Sequence, residues 1–90
     1  MNVLTLNVCG FGDTVKWEWV RRLQASLHLN FIGLQETQLC DYSTVNMLHC
    51  WDDSDFDFEG INANGISGGL ISIWNKNVFC KEKISKNVIT

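Results

Sequence analysis

The chain has no excess of basic residues, no long apolar run and no pair of cysteines at metal-binding spacing, and each absence removes a class of function. Seven Lys and Arg stand against ten Asp and Glu, a formal net charge of −3. Proteins that coat nucleic acid carry a basic face and a high pI, so that class is disfavoured. A phosphate-cleaving enzyme is still allowed, because a bound metal ion reverses the local sign at its site. No stretch approaches the roughly 18 apolar residues of a membrane span. Met1 leads almost at once into an alternating apolar segment, without the basic start and long apolar core of a secretory signal. Cys9, Cys40, Cys50 and Cys80 lack the two-to-four-residue spacing of zinc ligands, and His28 and His49 are not paired either. The cysteines are therefore expected to be reduced thiols of an intracellular protein, nuclear or cytoplasmic and not secreted. No internal repeat, linker or low-complexity segment interrupts the chain.

What is present suits one small globular domain: 90 residues, 46% of them hydrophobic, with four Trp and five Phe. A chain of this length buries only about 60–65% of the surface its unfolded form exposes. Its charges are segregated. Lys16, Arg21 and Arg22 come early, Asp52, Asp53, Asp55, Asp57 and Glu59 crowd together, and Lys76, Lys81, Lys83 and Lys86 come late.

Residues 2–8 are apolar and β-branched and predict a strand. Cys9 to Asp13 breaks it with two glycines, and Asp13 or Thr14 is placed to cap a helix reaching about His28. Trp19, Val20, Leu23 and Leu27 are expected on one face of that helix, away from Arg21, Arg22 and Ser26. A second strand over 30–36 is almost continuously apolar, which predicts burial on both faces. Strand, helix and strand make a βαβ unit with a right-handed crossover and parallel strands. Asn7 and Glu36 then arrive at the same carboxyl edge, where open α/β sheets bind their ligands.

Beyond this unit the pattern predicts a short helix over 43–49 and a strand over 55–59 with one wet face. A turn-rich loop over 62–69, a strand over 70–74, a turn at 75–77 and a further strand from Val78 follow. The acidic cluster matches no calcium loop and reads as the solvated side of a loop and edge strand, where charge deters edge pairing. Trp17, Trp19, Trp51 and Trp74 read as core or boundary aromatics, because stacking platforms for single strands need a basic groove beside them. His28 is expected at the surface. The chain stops in strand-like sequence at Asn87-Val88-Ile89-Thr90, which reads as a domain cut short.

Magnesium-assisted phosphodiester cleavage needs oxygen ligands, and Mg²⁺ prefers one or two carboxylates with waters and phosphate oxygens to a full protein cage. The Glu36 carboxylate and the Asn7 amide oxygen are candidates. Geometry alone leaves the bland alternatives standing, a Glu reaching solvent and an Asn capping a turn.

The blocks Leu6-Asn7-Val8-x-Gly10, Phe31-Ile32-x-Leu34-Gln35-Glu36-Thr37 and Ser67-Gly68-Gly69-Leu70, in this order and followed by Trp74, resemble the opening of the endonuclease/exonuclease/phosphatase superfamily. In particular they resemble the apurinic-endonuclease-like domain that opens the polyproteins of plant non-LTR, LINE-type retrotransposons. The resemblance covers nearly all of the chain. It implies an α/β fold, the amino-terminal part of a four-layer sandwich of the DNase I-like type, truncated here. It also implies a Mg²⁺- or Mn²⁺-dependent endonuclease acting on DNA, with Asn7 and Glu36 as catalytic metal ligands. By the same resemblance Ser67, Gly68 and Gly69 lie near the nucleic-acid backbone.

Departures from the family pattern bear on activity. Cys9 stands where DNA-repair members carry Asp, a position that varies among retroelement members, and Thr5 and Leu6 stand where Ser and Trp are common. The family's later groups, a Tyr, an Asp-x-Asn pair, a further Asp and a Ser-Asp-His block, have no counterpart after Trp74. Tyr42 precedes the third block and is not the family Tyr. The expectation is a portion inactive by itself, needing the rest of its domain and polyprotein. The alternative is a non-catalytic remnant or a small interaction module that keeps the βαβ scaffold.

Overall fold

The computed structural model describes residues 2–52, 55–63 and 68–78. Four strands form one mixed sheet, with a helix after the first of them. Strand β1 spans Val3–Asn7, helix α1 Thr14–Leu27, β2 Phe31–Gln35, β3 Phe56–Ile61 and β4 Leu70–Asn75. The sheet order is β1-β2-β4-β3; β1 and β2 are parallel, and the other two pairings are antiparallel. Among the described residues the molecule is thus a small α+β protein with a mixed four-stranded sheet and one helix.

Register fixes the two faces of the sheet. Leu4 pairs with Ile32, Ile32 with Ile73 and Ile73 with Phe58, so all four point to one side. That side joins Leu6, Leu34 and Ile71 to Val20 of the helix and to Phe11, Met47 and Trp51 in one core. The interior strand β2 buries Phe31, Ile32, Gly33 and Leu34, as its apolar run predicts. On the other side Phe31 and Trp74 stack with ring centroids 6.4 Å apart, both buried.

Helix α1 begins where expected. Asp13 is its N-cap and accepts from the Val15 N–H at 2.9 Å. His28 ends it at φ 51°, its N–H turned back to the carbonyls of Gln24 and Ala25. The buried face differs from the expected one. Val20 and Gln24 are buried, whereas Trp19 and Leu27 are each 48% exposed. Gln24 is tolerated there because its amide is satisfied: Nε2 donates to the Leu29 carbonyl at 3.4 Å, and Oε1 accepts from the Asp52 N–H at 3.0 Å. Trp17 is the half-buried tryptophan of the helix, its Nε1 donating to the Phe11 carbonyl at 2.6 Å.

The segment expected as one short helix is two single 3₁₀ turns, Tyr42–Thr44 and Met47–His49. The Asp41 and Asn46 side chains each cap their own turn, and Val45 between them is extended. Short polar side chains that bond nearby backbone break a helix in this way. Strand β3 is an edge strand, as read from its charges, with Asp57 and Glu59 on the side away from the core. Gly60 lies on the core side beneath Tyr42, where an added Cβ would come within 2.6 Å of the ring. Val78 closes a turn by donating to the Asn75 carbonyl at 3.0 Å; the strand expected to follow lies outside the described residues. Among the described residues no helix is long and apolar enough to cross a membrane.

Candidate functional site

Parallel pairing sets Asn7 opposite Gln35, so Glu36 stands one residue past the end of β2 at the same edge. There the Asn7 Nδ2 donates a hydrogen bond to Glu36 Oε2. The Asn7 Oδ1 accepts from the Cys9 N–H at 3.1 Å and from Cys9 Sγ at 3.2 Å. The first of these is an Asx turn, in which a short side chain mimics the next backbone carbonyl. Asn7 therefore caps a turn, one of its two readings from sequence, and its amide nitrogen meets Glu36. Both side chains are exposed.

The third block comes to the same edge. Strand β4 runs antiparallel to β2, so its start lies beside the end of β2, with Leu70 opposite Gln35. Just outside the strands the Thr37 N–H donates to the Gly69 carbonyl at 3.3 Å and the Gln38 N–H to the Gly68 carbonyl at 2.9 Å. On the other flank Gly10 N–H donates to the Glu36 carbonyl and Phe11 N–H to the Thr37 carbonyl, both at 2.8 Å. The Glu36–Gln38 turn is held from both sides. Ser67 lies outside the described residues.

This edge concentrates unusual backbone. Cys9 (φ 48°), Gly10 (99°), Glu36 (54°), Gln38 (58°), Gly68 (90°) and Gly69 (91°) all occupy the left-handed region. For a non-glycine residue that conformation costs on the order of 1–3 kcal/mol and persists only where the surroundings hold it, most often at functional sites. Gly69 is needed for room as well as conformation, since an added Cβ would fall on the Thr37 hydroxyl. Gly68, by contrast, faces open space. The Thr37 side chain is buried, and its hydroxyl has no hydrogen-bond partner among the described residues.

One contributor was missed in the sequence. The Lys16 ammonium donates to the carbonyls of Val8 at 2.8 Å, Gly10 at 3.0 Å and Cys9 at 3.3 Å. It gathers the first three carbonyls after Asn7. The available signal was its position: Lys16 stands in the first turn of α1, where the helix dipole disfavours a cation and the turn itself carries no acidic residue.

The donor chemistry suits a hard divalent cation. Glu36 brings a carboxylate whose Oε2 is held by Asn7 Nδ2. The Asn7 amide oxygen is turned to the Cys9 N–H and Sγ and would have to turn toward Glu36 to share an ion with it. Among the described residues no three His, Cys, Asp or Glu are grouped to hold a metal ion. One carboxylate and one amide match Mg²⁺, which fills its remaining positions with water and phosphate oxygens.

Other residues singled out in the sequence stay away from this edge. His28 is the C-cap of α1, and His49 packs on Trp17 with centroids 6.4 Å apart. His49 also lines a shallow recess of about 280 Å³ with Thr14, Val15, Glu18 and Arg21. Asp52 lies 3.6 Å from Arg21 as a half-exposed ion pair, and the Asp57 carboxylate accepts from the Phe58 N–H at 2.8 Å. Asp41 is held below the usual carboxylate range by the hydroxyl and then the N–H of Ser43, both bonded to it. Of the described cysteines, Cys9 and Cys40 are exposed, while burial pushes the Cys50 thiol up to about 12. Comparison with protein-family models, with curated proteins and with solved structures found no match to this chain.

Proposed function

We propose that the chain is the amino-terminal portion of a divalent-metal-dependent endonuclease domain, a DNase I-like sandwich of the retrotransposon type that hydrolyses DNA phosphodiesters. The observation that carries this reading is the contact of Asn7 with Glu36 at the carboxyl edge, with the Gly68–Gly69 strand lead-in bonded to the turn that bears Glu36. Three blocks separated in sequence meet in one place, and that meeting supports the reading. Glu36 and Asn7 are the residues that would hold Mg²⁺ or Mn²⁺. The ion would neutralise charge on the phosphate and on the leaving oxygen. Asn7 orients the Glu36 carboxylate through Nδ2, and the left-handed backbone at Glu36 aims the side chain out of the sheet edge. Gly68, with no side chain and open space around it, lets a phosphodiester backbone approach closely.

The 90 residues contain no Asp-x-Asn pair and no Ser-Asp-His block, the groups that in the family activate water and stabilise the transition state. Loss of single groups of this kind commonly costs about 10²–10⁴ in rate. The chain alone is expected to leave supercoiled and abasic plasmid intact in Mg²⁺. Nicking that needs Mg²⁺, stops with EDTA and disappears in Glu36→Gln would overturn that expectation and make the chain an enzyme in its own right. Failure of the chain to take up any divalent ion would remove the metal reading and favour the interaction module.

A further inference from the structure

We infer that Lys16 is the positioning residue of the Asn7–Glu36 site: its ammonium, by gathering the Val8, Cys9 and Gly10 carbonyls, holds the turn that aims Asn7 at Glu36. The inference rests on the metal reading above and adds a residue to it.

The placement of Lys16 is explained by nothing in its own helix. With Asp13 as N-cap, Lys16 is the third helical residue, a cation at the positive end of the dipole. Its side chain turns back instead over the β1–α1 connection, and Nζ meets three consecutive carbonyls within 3.3 Å. An ammonium has three donors and no acceptor, so this set satisfies it. Three successive carbonyls point to one spot only when the chain curls around it. Here Cys9 and Gly10 curl at φ 48° and 99°.

That curl has two consequences for the site. It brings the Cys9 N–H onto Asn7 Oδ1, which fixes the amide and presents Nδ2 to Glu36. It also brings the Gly10 N–H onto the Glu36 carbonyl. Lys16 thus reaches the side chain of one proposed ligand and the backbone of the other without touching either. Without the ammonium, three carbonyls lose their common partner and Cys9 loses one of the contacts that hold it in a conformation that non-glycine residues avoid. Residues that orient metal ligands typically change metal affinity by about 10–100-fold when removed.

The test uses the whole chain as wild type, Lys16→Met, Lys16→Arg and Glu36→Gln. Two quantities are read: Mn²⁺ affinity from the loss of the free-ion paramagnetic resonance signal, and alkylation rates of Cys9 and Cys40 resolved by peptide mass spectrometry. Cys40, exposed and outside the turn, is the internal reference. The expected result for Lys16→Met is a Mn²⁺ affinity lower by about 10–100-fold and faster Cys9 alkylation at an unchanged Cys40 rate. Lys16→Arg should fall between, because a planar guanidinium cannot converge on three carbonyls as an ammonium does. A folded Lys16→Met chain with wild-type Mn²⁺ affinity and wild-type Cys9 reactivity overturns the inference. If Lys16→Met does not fold, Lys16→Arg decides: both quantities shift in the same direction, or the inference fails. Wild-type chain that takes up no more Mn²⁺ than Glu36→Gln sinks the metal reading instead, and Cys9 alkylation still decides the role of Lys16.

Discussion

Asn7 is the residue on which the candidate site turns, because its two side-chain atoms serve different partners. Its oxygen closes the turn at Cys9 and its nitrogen reaches Glu36. Asn7→Asp separates these jobs. The aspartate keeps an oxygen for the Cys9 N–H but sets a second carboxylate against Glu36, where like charges oppose each other. At neutral pH without metal, urea denaturation should show Asn7→Asp less stable than wild type by about 1 kcal/mol, the worth of a lost hydrogen bond. Saturating Mn²⁺ should close that gap, since two carboxylates then share a cation. A gap of the same size with and without Mn²⁺ would show that the two side chains do not bind a common ion. Asn7 and Glu36 owe their reading as metal ligands to the family resemblance, but they were legible as neighbours at one edge because Asn7 ends β1 and Glu36 directly follows β2. Lys16 was not, because its partners are backbone carbonyls, and where those point depends on φ angles at Cys9 and Gly10 that no side-chain pattern encodes.

At the scale of elements, the strands were read well and the faces of the helix less well. Parallel pairing of β1 with β2 follows from a 14-residue helix between two short apolar strands, and it places both ends at one edge. Burial of all the apolar positions of β2 follows from its interior place in the sheet. The helix misled because hydrophobicity is a poor guide where a polar group is satisfied: Gln24 is buried on two backbone hydrogen bonds while Trp19 stays half outside. The two 3₁₀ turns misled for a related reason, since Asp41 and Asn46 each compete for the backbone a continuous helix would need. The β4 lead-in carries its own prediction. Gly69→Ala meets both a φ of 91° and the Thr37 hydroxyl, whereas Gly68→Ala meets only its φ of 90°. Gly68→Ala should cost about 1–2 kcal/mol from the left-handed backbone alone. Gly69→Ala should cost more, with the added clash of overpacking worth about 1–3 kcal/mol. Thermal unfolding of the two variants checks the order, and equal losses would show that Thr37 does not lie against Gly69.

At the scale of the molecule, the site belongs to no single segment. Asn7 comes from the end of β1, Glu36 from the turn after β2 and Gly68–Gly69 from the approach to β4, and they meet only when the sheet is formed. A ligand that binds such a site binds the folded state and not the unfolded chain, and it stabilises the fold by mass action. The larger core lies on the helix side, around Trp51, Ile32, Ile71 and Ile73, the buried pair Phe31 and Trp74 lies on the other face, and Asn7 and Glu36 are exposed. Changing the Glu36 carboxylate to an amide therefore alters the site while leaving the core untouched. The most direct measurement is the thermal midpoint of wild type and Glu36→Gln titrated with Mn²⁺. A rise in wild type that reaches about 2.7 kcal/mol of added stability at 100 times the dissociation constant, with little or no rise in Glu36→Gln, is the result predicted. An equal rise in both chains, or none in wild type, would contradict a metal site at Asn7 and Glu36.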